Sequence, residues 1–393
     1  MQLNNTPRHG TLVYVTSTRF PTEKAHGLAT VKLCEAFARR GYAVDVLAPR
    51  LWRRDGGDVF DYYDVKNTFR IVKIPCIDLI PLRVIDTLAF LLQSISFSLL
   101  ALLYVASVYR AKMKKCIFFS HDYIPLYFMT FLPVSIFYDV HHFPGNNFMY
   151  RRVVKRAFGF AVQTKWKVNE LSDKFGIAPE RIVYWPNGTD IRAFDDLPTK
   201  NTTRKELSLP TDKKIIMYTG QLFEWKGVDS LLRSITMLPS DAVLYIVGGA
   251  DSDVVRCKKE IPEANDARIV FIPFQSHEKI PVWLNSADVL VLPNTGKQKV
   301  SLYYTSPMKL FEYMASGRPI VASAIPSLQE ILNDRNAVLV EPDNPEALAA
   351  GIRSVLDDAA TAEKISRNAK IDSREYTWDG RTQRIGAYFE KYA

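Results

Sequence analysis

Short, continuously apolar, β-rich runs alternate with helix-like stretches along nearly the whole of the 393-residue chain. In the second half the runs are IIMYTG from Ile215, AVLYIVG from Ala242, RIVFIP from Arg268, DVLVLP from Asp288, PIVAS from Pro319 and AVLVEP from Ala337. The first half repeats the pattern with LVYVTS, AVDVLAP, FRIVKIP, CIFFS, SIFYDV, FAVQT and RIVYWP. Strands without polar alternation must be covered on both faces, and the intervening helices supply that cover, so the pattern predicts parallel sheets. The expected fold class is α/β, two doubly wound parallel sheets in tandem, and the length suits about two domains. Strand signals stop at PNGTDIRAFDDLP from Pro186, where Pro, Asn, Gly and Asp cluster. That places the first domain at 1–188 and the second from 189. Ligands of open α/β sheets bind beyond the carboxyl ends of the strands, so a cleft between the two sheets is the expected site.

Charge is unevenly spread. The net charge is +9, but up to Asp190 there are about 25 basic and 15 acidic residues, and beyond it about 26 and 27. The excess belongs to the first domain, in Arg50, Arg53 and Arg54, in Lys112, Lys114 and Lys115, and in Arg151, Arg152, Lys155 and Arg156. The last cluster is interleaved with Phe148, Met149, Tyr150, Phe158 and Phe160, a combination suited to an anionic membrane surface and equally to a solvated helix face. No nucleic-acid-binding module accompanies the charge, so no nucleic-acid partner is expected. Cys34, Cys76, Cys116 and Cys257 lie far apart with no ligand spacing; neither a disulfide framework nor structural zinc is expected, and a reducing, cytoplasmic compartment is. The opening MQLNNTPRHG has no apolar stretch of the signal-peptide kind. From Thr87 to Tyr109 no residue is charged, a length that could span a bilayer. Gln93, several serines and Asp86 favour a long helix buried in the α/β domain, and a helix lying partly against a membrane falls between the two.

Two segments offer chemistry. In YTGQLFEWKG, from Tyr218, a strand ends at Gly220 and Lys226 with Gly227 opens the next helix, placing an ammonium where helix amides also favour a phosphate. In YTSPMKLFEYMASGRPIVAS, from Tyr304, Ser306 is the expected N-cap with Pro307 at the first helical position, and Gly317 ends the helix. Thr305, Ser306, Met308 and Lys309 then converge on one spot fit for a diphosphate. Glu312, further into the helix, could accept both hydroxyls of a ribose or form a salt bridge on the helix face.

Taken together, these segments resemble the GT-B glycosyltransferases of the large family four (group 1) type, nearly end to end. TSTRFPTEKAHGLATVKLCEAFARRGYAVDVLAP is similar to the family's first strand, glycine loop and helix, FYDVHHFP to the strand end bearing a histidine, and YWPNGTDIRAF to the interdomain segment. TGQLFEWKGVDSLLRSI resembles the phosphate loop, LYIVGG the strand after it, SPMKLFEYMASGRPIVAS the donor signature and YTWDGRTQRIGAYFEKY a final helix, 378–393, that returns to the first domain. The resemblance implies two Rossmann-like domains facing across a cleft, the second, 189–377, binding a nucleotide diphosphate sugar and the first an acceptor that is a saccharide or lipid-linked.

It also implies roles. His141 faces the donor, Lys226 contacts the diphosphate, Glu312 binds ribose, Gly27 lies near donor phosphate or acceptor, and Phe274 and Gln275 hold the base, UDP and GDP being indistinguishable. His9, His26, His121 and His277 receive none. The implied chemistry is metal-independent hexosyl transfer with retention, in polysaccharide or glycoconjugate synthesis, by an enzyme that is peripheral on the membrane's inner face. Two positions depart from the family. Gln221 stands where an arginine is usual, a loss of about 1.5–3 kcal/mol for a charged hydrogen bond that Lys309 could offset. Tyr304 stands where a sugar-contacting glutamate is common. These departures keep open an inactive nucleotide-sugar-binding or assembly protein, or a nucleotide-sugar epimerase.

Overall fold

The computed structural model describes residues 9–51, 57–80, 86–144 and 147–392. Arg53, Arg54 and the first eight residues, on which expectations above rest, lie outside the described residues. The chain divides into two compact units, Met1–Pro186 with Trp378–Ala393, and Asn187–Thr377.

Every apolar run named above forms a strand. The first unit holds β1 (Thr11–Val15), β2 (Ala43–Pro49), β3 (Arg70–Ile74), β4 (Cys116–Ser120), β5 (Ser135–Val140), β6 (Gly159–Val162) and β7 (Ile182–Tyr184). They pair in parallel in the order β3-β2-β1-β4-β5-β6-β7. The second unit holds β8 (Lys214–Thr219), β9 (Ala242–Val247), β10 (Ile269–Ile272), β11 (Val289–Leu292), β12 (Ile320–Ser323) and β13 (Val338–Val340). Its order is β10-β9-β8-β11-β12-β13, again all parallel. Both are doubly wound Rossmann-like sheets, reversing direction between β1 and β4 and between β8 and β11, where such folds open a crevice for ligand.

Burial on both faces accounts for the unbroken apolar strands. In the second unit one core layer gathers Met217, Leu290, Phe311 and Ile320, and the other gathers Ile216, Leu231, Val291 and Ile352. In the first unit, Val13, Phe118 and Tyr138 face a core layer that includes Phe97, Ala101 and Val105 of the helix Asp86–Val108. The opposite face is aromatic. Phe389 of the returning helix Trp378–Tyr392 stacks on Phe37 at 6.0 Å and meets Phe137 edge-on at 4.8 Å.

The 86–108 helix is neither wholly buried nor free of the fold. Phe97, Ala101, Val105 and the following Tyr109 are fully buried, whereas Leu88, Leu99 and Leu103 are about half exposed. Gln93 is part of the attachment: its amide donates to the Ser17 carbonyl at 3.2 Å and its carbonyl accepts from Arg19, which also pairs with Asp78 at 2.6 Å.

Candidate functional site

The second unit's candidate groups collect where its sheet reverses. After β8, Gly220 adopts φ +119°, and a Cβ there would stand 3.0 Å from the Lys309 ammonium. Lys226 does not open the next helix as expected. It closes a 3-10 turn, Glu224–Lys226, and Gly227 at φ +67° separates it from the helix Val228–Ser234. A Cβ at Gly227 would lie 2.0 Å from the Pro293 carbonyl oxygen, so only glycine lets this loop press against the end of β11.

Lys226 lies 3.8 Å over the Trp225 ring, and burial pushes its ammonium down to about 7. Lys309, in the first turn of the helix Met308–Ser316, has its Nζ 3.5 Å over the Tyr218 ring. That Nζ is buried and has no hydrogen-bond partner among the described residues. Burial first, then the neighbouring Lys226 charge, hold Lys309 well below the usual lysine range, while Glu312 acts in the opposite direction. Two lysines thus share a poorly solvated spot, an arrangement that an arriving polyanion would relieve.

Ser306 is not the N-cap. Pro307 occupies that position with φ −71° and ψ 127°. The Ser306 hydroxyl accepts from the Asn187 amide at 3.1 Å, and its carbonyl accepts from the Asn187 side chain at 2.8 Å. Proline's locked φ suits the extended cap position, and the hydroxyl instead ties down the chain's entry into the unit. Gly317, at φ +66°, ends the helix as predicted. Met308 is the first residue of this helix, Tyr304 ends a π-helical turn, Val300–Tyr304, and Thr305 connects the two, its amide donating to the Val300 carbonyl at 3.0 Å. Gln221 offers its backbone carbonyl to the Tyr218 hydroxyl at 2.7 Å. Phe274 is exposed, and the Gln275 amide folds back onto the Pro273 and Phe274 carbonyls at 3.1 and 3.2 Å. Two residues on, His277 Nδ1 stands 3.7 Å from the buried carboxylate of Glu312. The loop after β10 therefore reaches the helix that carries Lys309, and Glu312 is not on a solvated face.

The first unit brings together histidines that sequence reasoning had separated. His121 follows β4 and His141 follows β5, and their rings stack at 4.9 Å. The His26 ring lies 6.0 Å from that of His121. Burial holds the Tyr14 hydroxyl well above its usual range, the hydroxyl shares a hydrogen bond with His121 Nδ1 at 2.6 Å, and His121 Nε2 stands 3.4 Å from Asp122 Oδ1. Asp122 also accepts from the Thr16 hydroxyl at 2.6 Å and the Ser17 amide at 2.8 Å, anchoring the loop after β1.

His141 Nε2 donates to Asp139 Oδ2 at 3.3 Å, and burial pushes the imidazole down to about 4. His26 is likewise pushed down to about 4 by burial and by His121. At neutral pH His141 is an uncharged ring whose Nδ1 keeps a lone pair for a hydroxyl. Asp139 is buried, both its oxygens accept from Arg381 Nη2, at 2.8 and 3.0 Å, and Gln163 also donates to it. Arg381 and His141 keep its carboxyl well below the usual range despite burial. Gly27 has a packing role within this unit: a Cβ would lie 2.4 Å from the Tyr63 hydroxyl and 2.5 Å from Thr22.

Sequence reasoning missed His26, His121, Asp122, Asp139, Arg381 and His277. Position just past β4 and β5 was a usable signal for His121, Asp122 and His141. Arg381 had none, because 242 residues separate it from Asp139.

Residues 199–372 match the family described as Glycosyl transferases group 1. Residues 28–193 match Glycosyltransferase Family 4. The chain belongs to the group 1 glycosyltransferases. Within this family it is 26% identical over 238 residues to the D-inositol 3-phosphate glycosyltransferase of Xylanimonas cellulosilytica, covering 58% of this chain and 55% of that one. The chain thus spans about half the length of the curated relatives it matches. Solved structures share the fold over nearly full length. Sucrose-phosphate synthase from Thermosynechococcus elongatus superposes with TM-score 0.79 at 18% identity, covering 97% of this chain and 98% of that chain. Anabaena HepE in complex with UDP-glucose gives TM-score 0.74 at 15% identity, covering 98% and 100%.

Proposed function

We propose that the protein transfers a hexosyl group from a nucleotide diphosphate sugar to a saccharide or lipid-linked acceptor in polysaccharide or glycoconjugate synthesis. The carrying observation is the buried, unpartnered Lys309 ammonium beside Lys226 at the reversal point of the second sheet. Family membership, and the UDP-glucose bound by HepE, support a nucleotide-sugar donor.

As the anomeric bond breaks, negative charge accumulates on the leaving diphosphate. Lys226, Lys309 and the start of the 308–316 helix stabilise that charge, so in this reading the leaving group needs no metal. Glu312 takes the ribose hydroxyls, with His277 beside it. The neutral His141 offers its Nδ1 lone pair to a sugar hydroxyl, with Asp139 fixing the ring. Retention at the anomeric carbon completes the proposal, on the family likeness.

Calorimetric titration of UDP and GDP into the native chain and Glu312→Ala tests the donor site. The variant should bind about ten- to a hundredfold more weakly, as expected for losing hydrogen bonds to a charged acceptor. Equal affinity in the two proteins would remove Glu312 from the site. Turnover on a panel of acceptors separates transferase from rival: binding with no transfer and no hydrolysis favours the inactive nucleotide-sugar-binding protein, and interconversion without acceptor favours an epimerase.

Affinity should also depend on pH. Free Lys226 loses its proton near pH 7, and a bound diphosphate favours the ammonium, so binding above that pH takes up a proton. The Kd should therefore rise with increasing pH, by up to about tenfold per unit, until the pKa of the complex is passed. A Kd that is flat through the alkaline limb would place Lys226 away from the phosphates.

A further inference from the structure

The 86–108 helix turns Leu88, Leu91, Leu92, Leu99, Leu103 and Val108 toward solvent, each between 37% and 57% exposed. Leu88, Leu91, Leu92, Leu99 and Leu103 share one face of the helix, a stripe about 22 Å long at the helical rise. Uncovered apolar surface of that extent marks an interaction face.

Chain composition around it is one-sided. The helix packs against the short helix Tyr123–Met129, which packs against the helix Phe148–Arg156. Phe131, just past the middle helix, is 54% exposed and Phe148 68% exposed. Arg110, Lys112, Lys114 and Lys115 follow the leucine stripe and are exposed, as are Arg151, Arg152, Lys155 and Arg156. Between residues 87 and 169 the only acidic residues are Asp122 and Asp139. The first is engaged by Thr16 and Ser17, and the second is buried against Arg381. Cations on this layer therefore have no acidic neighbours within the layer's own sequence.

We propose that this face docks on a bilayer containing anionic lipids, the 86–108 helix lying in the plane of the headgroup–acyl boundary with its leucines inserted. Spanning is excluded by the helix's other face, because Phe97, Ala101, Val105 and the Gln93 hydrogen bonds would have to leave the core of the unit. A second copy docking through the same face would oppose its own cations, whereas anionic headgroups neutralise them. Nucleic acid would leave the leucines uncovered.

Co-sedimentation of the full chain with phosphatidylcholine vesicles, with and without phosphatidylglycerol, tests the assignment. The native chain should bind the anionic vesicles strongly and the neutral ones weakly, with added salt lowering the former. Leu99→Glu with Leu103→Glu, and separately Arg151→Glu with Lys155→Glu, should each lower the partition by about tenfold or more. Unchanged melting temperatures would show that both variants remain folded, as expected of exposed positions, and Lys258→Glu in the second unit should bind as native. Absence of native binding, or equal binding by the leucine variant, would overturn the proposal. So would a native dimer in solution that the leucine variant converts to monomer.

Discussion

Arg381→Met should destabilise the first unit by about 3–5 kcal/mol, the usual cost of removing one partner from a buried ion pair. Both side chains are almost fully buried, and the guanidinium also donates to the Trp185 and Pro186 carbonyls, so methionine leaves a buried carboxylate and two carbonyls short of donors. Denaturant unfolding measures the loss directly. Adding Asp139→Asn should recover part of it, since a neutral amide is less costly to leave unpaired. The pH dependence has a definite sign. The carboxyl of Asp139 is depressed in the folded state, so its contribution is fully present above the ordinary carboxylate range, about pH 4, and is lost as pH falls through the lower native value. In Arg381→Met that acid sensitivity should shrink. A variant as stable as the native chain would mean that the returning helix holds on through its aromatic contacts alone.

Lys309→Met should raise the melting temperature of the ligand-free protein while lowering turnover by about 10²–10³-fold, the range for removing one preorganised charge-stabilising donor. The native lysine's Nζ is buried without a hydrogen-bond partner among the described residues, and its pKa is depressed in the folded state. Its penalty therefore grows as pH falls from the unfolded value near 10.5 toward the native one, and methionine removes it. Opposite movement of stability and activity is the signature of a group retained for a ligand. Thermal scans with and without UDP read both halves: the variant should melt higher alone and gain little from nucleotide. A lower melting temperature with undiminished turnover would make Lys309 a packing residue.

Much of the site was legible because its residues sit at fixed offsets from strand ends. Gly220, Lys226, Lys309 and Glu312 occupy local segments in which strand, loop and helix start follow one another, and local order was enough to group them. Ser306 was misassigned because a serine before proline fits a cap by local rules, while its hydroxyl is used by Asn187, 119 residues away. His277 and His121 were passed over for the same reason: a histidine is informative only once its neighbours in space are known.

By itself, then, the sequence determined the two parallel α/β sheets, the strands in each, and the segments bearing Lys226 and Lys309. Apolar periodicity and turn residues act over a few positions and are written locally. Only the tertiary structure decided that Arg381 fixes Asp139 and through it His141, that His26, His121 and His141 form one cluster of rings, and that the uncharged 86–108 stretch buries one face and bares the other. Those outcomes depend on contacts between distant segments, which a crossover topology creates and a linear pattern does not encode.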